Sequence, residues 1–128
     1  MIRLTVNQVI AMQATLIDQT GGTDGILNRE ALLSSLNAPF QTFDGAELYP
    51  SIEEKAAKLA YFLISNHSFV DGNKRIGLYV MLVFLEVNGM LLDFTQQELI
   101  DLGLSVANGE AKDESILAFI QAHRSEKP

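Results

Sequence analysis

From Asn73 to Asn88 the chain is apolar on nearly every side, and Glu86 is the only charged residue after Arg75. A helix built from such a run has no broad face to offer water, so it belongs at the centre of a bundle with other elements packed round it. Gly89, directly after Asn88, supplies a C-terminal stop. With 128 residues and an apolar fraction of 48%, there is enough material for one core of this kind and not for two. Residues 1–128 are therefore expected to form a single domain.

The flanking sequence repeats the helical pattern. One helix is expected from about Thr5 to Thr20, with Val6, Val9, Ile10, Leu16 and Ile17 on its apolar side and Gly21-Gly22 ending it. A second opens near Asn28, carries Ala31, Leu32, Leu33 and Leu36, and stops at Ala38-Pro39. Ser51 and Glu54 form a capping box for a third, which runs through Ala56, Leu59, Phe62 and Ile64 to about Asn66-His67. Thr95 and Glu98 form another for a helix ending near Asn108-Gly109, and Asp113 is read as the cap of a last helix through Ile116, Leu117, Phe119 and Ile120. Between the second and third helices, Phe40 to Pro50 breaks the pattern, and its Asp44-Gly45 pair signals a short hairpin or flap. The expected class is all-α: about six helices with short connections and one flap.

Cysteine is absent, so neither disulfides nor thiolate metal sites are available. The start Met1-Ile-Arg-Leu-Thr lacks the apolar region of a secretory signal, and Ile76 to Val87 is too short for the roughly 20 residues that cross a bilayer. A soluble, unprocessed, cytoplasmic protein is expected. A net charge of −7 opposes broad attraction to nucleic acid or anionic membrane, so an anion site must be local.

One segment is dense enough in reactive groups to provide such a site. His67-Ser-Phe-Val-Asp-Gly-Asn-Lys-Arg75 places an imidazole, a carboxylate, a carboxamide and two cations within nine residues, at the mouth of the central helix. Gly72 lets backbone amides approach a phosphate, and the helix dipole favours the anion. Lys74 and Arg75 add positive charge, and Asp71 offers the hard oxygen that magnesium prefers. Histidine is the side chain suited to exchange a proton near working pH, so His67 is a candidate general base. Singly, each has an ordinary structural role: Asp71 as an N-cap, His67 as a last-turn residue, Asn73 as a first-turn residue, Lys74 and Arg75 as solvated surface, Phe69 as a buried loop anchor. His123, near the polar C-terminus, is expected to be a last-turn surface residue.

Taken together, the string resembles the signature of the Fic/Doc superfamily, in which His, a Phe two residues on, an acidic residue, Gly or Ala, Asn and Arg recur at these spacings. Tyr49-Pro-Ser-Ile-Glu-Glu-Lys-Ala-Ala57, Asn66 and Val83-Phe-Leu-Glu-Val-Asn-Gly89 are similar to the Doc branch. The resemblance implies that His67 is the catalytic base, that Asp71 holds magnesium with the phosphates of ATP, and that Gly72, Asn73, Lys74 and Arg75 form the phosphate site. It implies that the flap docks the protein target by strand-like pairing.

AMP-transferring members typically carry a second glycine where this chain has Lys74, and a second arginine where it has Leu78. Doc proteins have the lysine and lack that arginine. The resemblance thus implies phosphoryl transfer from ATP to a hydroxyl side chain, with a threonine of translation elongation factor EF-Tu as the implied target, in preference to AMP transfer. None of the glutamates is followed by the glycine or asparagine of an inhibitory helix, so restraint by a separate, Phd-like antitoxin bound beside the flap is expected. A catalytically inactive binding module is the alternative from another class.

Overall fold

Four helices begin where a side-chain oxygen closes the first turn. In the computed structural model, which describes residues 1–125, these are α1 (Val6–Thr20), α2 (Arg29–Asn37), α3 (Ile52–Ser65) and α5 (Gln96–Ala107), capped by Thr5, Asn28, Ser51 and Thr95. Thr5 with Gln8, Ser51 with Glu54 and Thr95 with Glu98 each form a reciprocal capping box, satisfying two otherwise orphaned amides at once. The other two helices are α4 (Asn73–Val87) and α6 (Asp113–Ala122). Lys112, not Asp113, occupies the N-cap of α6. The Asp113 carboxylate instead meets Lys58 of α3 at 2.6 Å, a tertiary ion pair that outcompetes the local cap.

The flap is shorter than the pattern break. Ala38–Phe40 form a 3-10 turn, with the Phe40 ring edge-on to Phe84 at 5.9 Å, so Phe40 belongs to the core wall. The hairpin itself is β1 (Thr42–Phe43) paired antiparallel with β2 (Ala46–Glu47) across Asp44-Gly45. Its root is fixed by Lys55, which is almost fully buried, reaches the Tyr49 carbonyl and pairs with Glu47 at 3.0 Å.

The helix apolar on nearly every side is central, as its composition requires. Ile76, Val80, Met81, Phe84 and Leu85 of α4 are buried, chiefly against Ala56, Ala60, Leu63 and Ile64 of α3. Tyr79 and residues near both ends are exposed, and Leu82 and Val83 are partly so. The two helices approach so closely at Gly77 that a β-carbon there would lie 2.6 Å from Ile64 Cγ1 and 3.1 Å from the Ala60 carbonyl oxygen. On the other side, Gly103 of α5 leaves room for Leu78, whose Cδ1 would be 2.9 Å from an added β-carbon. Ile116 and Ile120 of α6 are fully buried and complete the core. Among the described residues no helix is long and apolar enough to cross a membrane.

His123 is more than a surface residue. Its Nε2 lies 2.7 Å from Glu98 Oε2, its Nδ1 lies 2.8 Å from the Phe119 carbonyl, and its ring stacks on Phe119. The Thr95 amide, and after it the His123 ring, hold the Glu98 carboxyl down to about 2. Glu98 and the Phe119 carbonyl raise the His123 pKa.

Two outcomes follow from these contacts. Gly77→Ala gains up to about 1 kcal/mol of helix propensity but overpacks a buried site, which costs about 1–3 kcal/mol. A net loss of about 1 kcal/mol is expected in urea unfolding. For the Glu98–His123 pair, a carboxyl with a lowered pKa stabilises above its ordinary value and loses that contribution as pH falls towards 2. A histidine with a raised pKa stabilises below its ordinary value and loses that contribution as pH rises through the raised one. The pair thus contributes most between the ordinary values, 4.5 and 6.5. Glu98→Gln should lower the melting midpoint most in that window; a difference from the parent protein that ignores pH would refute the coupling.

Candidate active site

The seven residues between α3 and α4, Asn66 to Gly72, carry half of the sequence-predicted site, and their shape is imposed from outside. Asn66 caps α3 and donates through Nδ2 to Ser35 Oγ of α2 at 2.9 Å. His67 follows with φ +49°, in the left-handed region that non-glycine residues seldom adopt, and its side chain is exposed. Ser68 and Phe69 then turn inward and are buried, Phe69 being the anchor expected of it.

The segment after α1 runs alongside and braces this loop. Leu27 and Asn28 donate their amides to the Ser68 carbonyl at 2.9 and 3.0 Å, Val70 donates to the Gly25 carbonyl at 3.1 Å, and Ile26 and Phe69 form an antiparallel bridge. Asn73 ties the loop from within. Its Nδ2 donates to the Phe69 carbonyl at 3.0 Å, and its Oδ1 accepts the Phe69 amide at 3.1 Å. Both polar ends of this carboxamide are therefore engaged by main chain, and Asn73 shapes the loop around an anion site without presenting its side chain to it.

Gly72 is the N-cap of α4, with φ +75° and no side chain to cap with, and the first turn contains no acid. The leading amides of α4 and the positive end of its dipole are left available to an anion. Asp71 is not the cap. Its Oδ1 accepts the Gly72 amide at 2.7 Å and its Oδ2 the Thr23 amide at 3.3 Å. These two bonds, in that order, and the nearby Arg75 guanidinium lower its pKa, so the exposed group is a carboxylate.

His67, Asp71, Gly72, Asn73, Lys74 and Arg75 all line one cleft of about 580 Å³. Tyr61 and Ser65 of α3, with Val106, Gly109 and Lys112, complete its lining. The two cations differ. Lys74 is exposed on the rim. Arg75 is folded against the C-terminus of α1, donating to Thr20 Oγ1 and, at 3.2 Å, to the Gly21 carbonyl, with Nη2 4.0 Å from Asp71 Oδ1. Gly22 permits this: a β-carbon there would lie 2.6 Å from Asp71 Oδ2 and 3.3 Å from Arg75 Nη2.

Among the described residues no three His, Asp or Glu side chains gather into a metal cage. A single carboxylate is nevertheless what magnesium requires when the remaining ligands are phosphate oxygens and water. The fit to a magnesium nucleotide therefore rests on Asp71, the uncapped amides of α4 and the two adjacent cations.

Sequence reasoning missed Thr23, Tyr61, Lys112 and Gln13, whose Nε2 donates to the Asp71 carbonyl at 2.5 Å. The repeated glycines at 21, 22 and 25 were the available signal that backbone approaches something closely there.

Comparison with known proteins identifies the family. The model of the Fic/DOC family matches residues 3–85, which span the brace, the loop and nearly all of α4. Toxin Doc of Mycolicibacterium smegmatis is 35% identical over 100 residues, covering 77% of each chain. Proteins of this family generally transfer nucleotide or phosphate groups onto other proteins. The chain belongs to the Fic/Doc family.

Proposed function

We propose that the protein is a toxin that transfers a phosphoryl group from ATP to a hydroxyl side chain of a protein target, a threonine of EF-Tu being the favoured acceptor, and so arrests translation. The observation that carries the choice of phosphoryl over AMP transfer is the pair of positions Lys74 and Leu78. Lys74 puts a long cationic side chain on the cleft rim where the AMP-transferring pattern has glycine. Leu78 is buried at 7% exposure against Gly103, so the second arginine of that pattern is replaced by an apolar contact.

Phosphoryl transfer asks a protein mainly for alignment and charge neutralisation. His67, exposed at the cleft and close in sequence to the α4 mouth, is the base that takes the proton of the attacking hydroxyl. Asp71 is the residue that would hold magnesium, which when bound neutralises charge on the phosphates. The amides of α4, with Lys74 and Arg75, orient and neutralise the transferred group. Arg75 also closes the carbonyl end of α1, so its contribution is delivered from a fixed platform.

The hairpin stands at the start of α3 and His67 just past its end, a separation of about 21 Å for 14 residues. A hollow lined by Tyr49, Lys58, Asp113 and Leu117 leads from the hairpin along α3. The next turn of α3 brings Tyr61 into the catalytic cleft. On this reading a target segment paired with the hairpin edge would follow α3 from that hollow towards His67. For the protein antitoxin, the Phd-like partner, the wider apolar groove of about 520 Å³ between α1, α4 and α5 is a better receptor than the hollow of about 240 Å³ beside the flap. Lys74 and Arg75 border that groove as well as the cleft.

Incubation of the protein and EF-Tu with ATP labelled at either the α- or the γ-phosphate tests the reaction. Label from the γ position, lost in His67→Ala, is expected on a threonine; α-label on protein would establish AMP transfer instead. Transfer of neither label, with cellular toxicity retained by His67→Ala, would identify a binding module.

A further inference from the structure

We infer that Gln13 is a positioning residue of the nucleotide site, holding from beneath the peptide that carries Asp71; the inference rests on the magnesium-nucleotide reading of the cleft. Gln13 lies on the buried face of α1 between Val9 and Ile17, spaced one turn from each, where packing alone calls for an apolar side chain. It is 1% exposed, its Oε1 is buried without a hydrogen-bond partner, and its Nε2 makes one bond, to the Asp71 carbonyl 58 residues away. A half-satisfied carboxamide is an expensive occupant of a core position. What it supplies there is that bond.

The bond matters because of its neighbour. The peptide between Asp71 and Gly72 leads into a glycine with φ +75°, and glycine imposes little torsional restraint of its own. Rotation of that peptide would carry the Asp71 carboxylate and the mouth of α4 out of register together. Gln13 fixes the carbonyl end of the peptide, and with Ile17 it also packs beneath Gly72, where an added β-carbon would lie 3.2 Å from Gln13 Nε2 and 3.3 Å from Ile17 Cδ1. The Thr23 amide fixes the carboxylate itself. Main chain and side chain of one residue are thus held separately, by α1 and by the turn that follows it.

The test compares the intact protein with Gln13→Met, which keeps the volume and loses the donor, and Val9→Ala, which loosens the same face of α1 without touching the bond. MgATP binding is measured by calorimetry, and hydrogen exchange of residues 67–75 by mass spectrometry without nucleotide. Loss of a supporting bond of this kind weakens a metal site about 10- to 100-fold. Gln13→Met should therefore bind MgATP at least about tenfold more weakly and exchange faster at 67–75, with α5 and α6 unchanged. Val9→Ala should melt earlier yet bind as the intact protein does. Unchanged affinity in Gln13→Met, or an equal loss in Val9→Ala, overturns the inference. If Gln13→Met does not fold, Gln13→Asn, one methylene too short to reach, replaces it. If the intact protein itself does not bind MgATP, the nucleotide reading fails, and the exchange result alone decides whether Gln13 holds the loop.

Discussion

The close contact of α3 and α4 is the constraint from which the rest of the molecule follows. With no side chain at Gly77, Ile64 and the Ala60 carbonyl come within the space a β-carbon would fill, and the two helices share the largest part of the core. Their proximity fixes both ends of the connection from Asn66 to Gly72, so seven residues must reverse the chain within a small span. A connection that short has few conformations, and the one adopted turns His67 outward and Phe69 inward. Packing in the bundle thereby determines which side chains face the cleft.

Several groups that line or flank the cleft also hold the scaffold together. Asn73 knits the loop, Arg75 closes the end of α1, and the glycine-rich turn that ends α1 supplies the Thr23 amide to Asp71. The chain carries a net charge of −7, so its long-range field repels the polyanion proposed for its cleft. Attraction has to come from within a few ångströms, from amides and two cations that the dual-purpose contacts keep in place.

Local patterns exposed what local physics decides. The oxygen of Ser51 and of Thr95 and the glutamate three residues after each determine helix starts, and both boxes stand where the residues placed them. The apolar run from Ile76 identified the centre, and the nine-residue string identified the cleft. Misplaced features are those settled by distant partners. Asp113 gives up the cap position because Lys58 is nearby, Phe40 leaves the flap because Phe84 receives its ring, and His123 is drawn to Glu98 across 25 residues. Gln13 and Thr23 were illegible for the same reason. An amide 58 residues from the carbonyl it meets leaves no periodic trace, and a backbone donor such as that of Thr23 shows only indirectly, through the glycines around it.

His67 stands on a backbone with φ +49°, a conformation in which glycine rests more comfortably than a residue bearing a β-carbon. Intrinsic conformational preference at that position therefore runs against the side chain proposed as the base. Were the fold maintained only as a scaffold, mutational drift at residue 67 would have a downhill direction, away from histidine. Its presence on that backbone is the kind of local disagreement between comfort and use that accumulates where a protein acts rather than where it merely holds together.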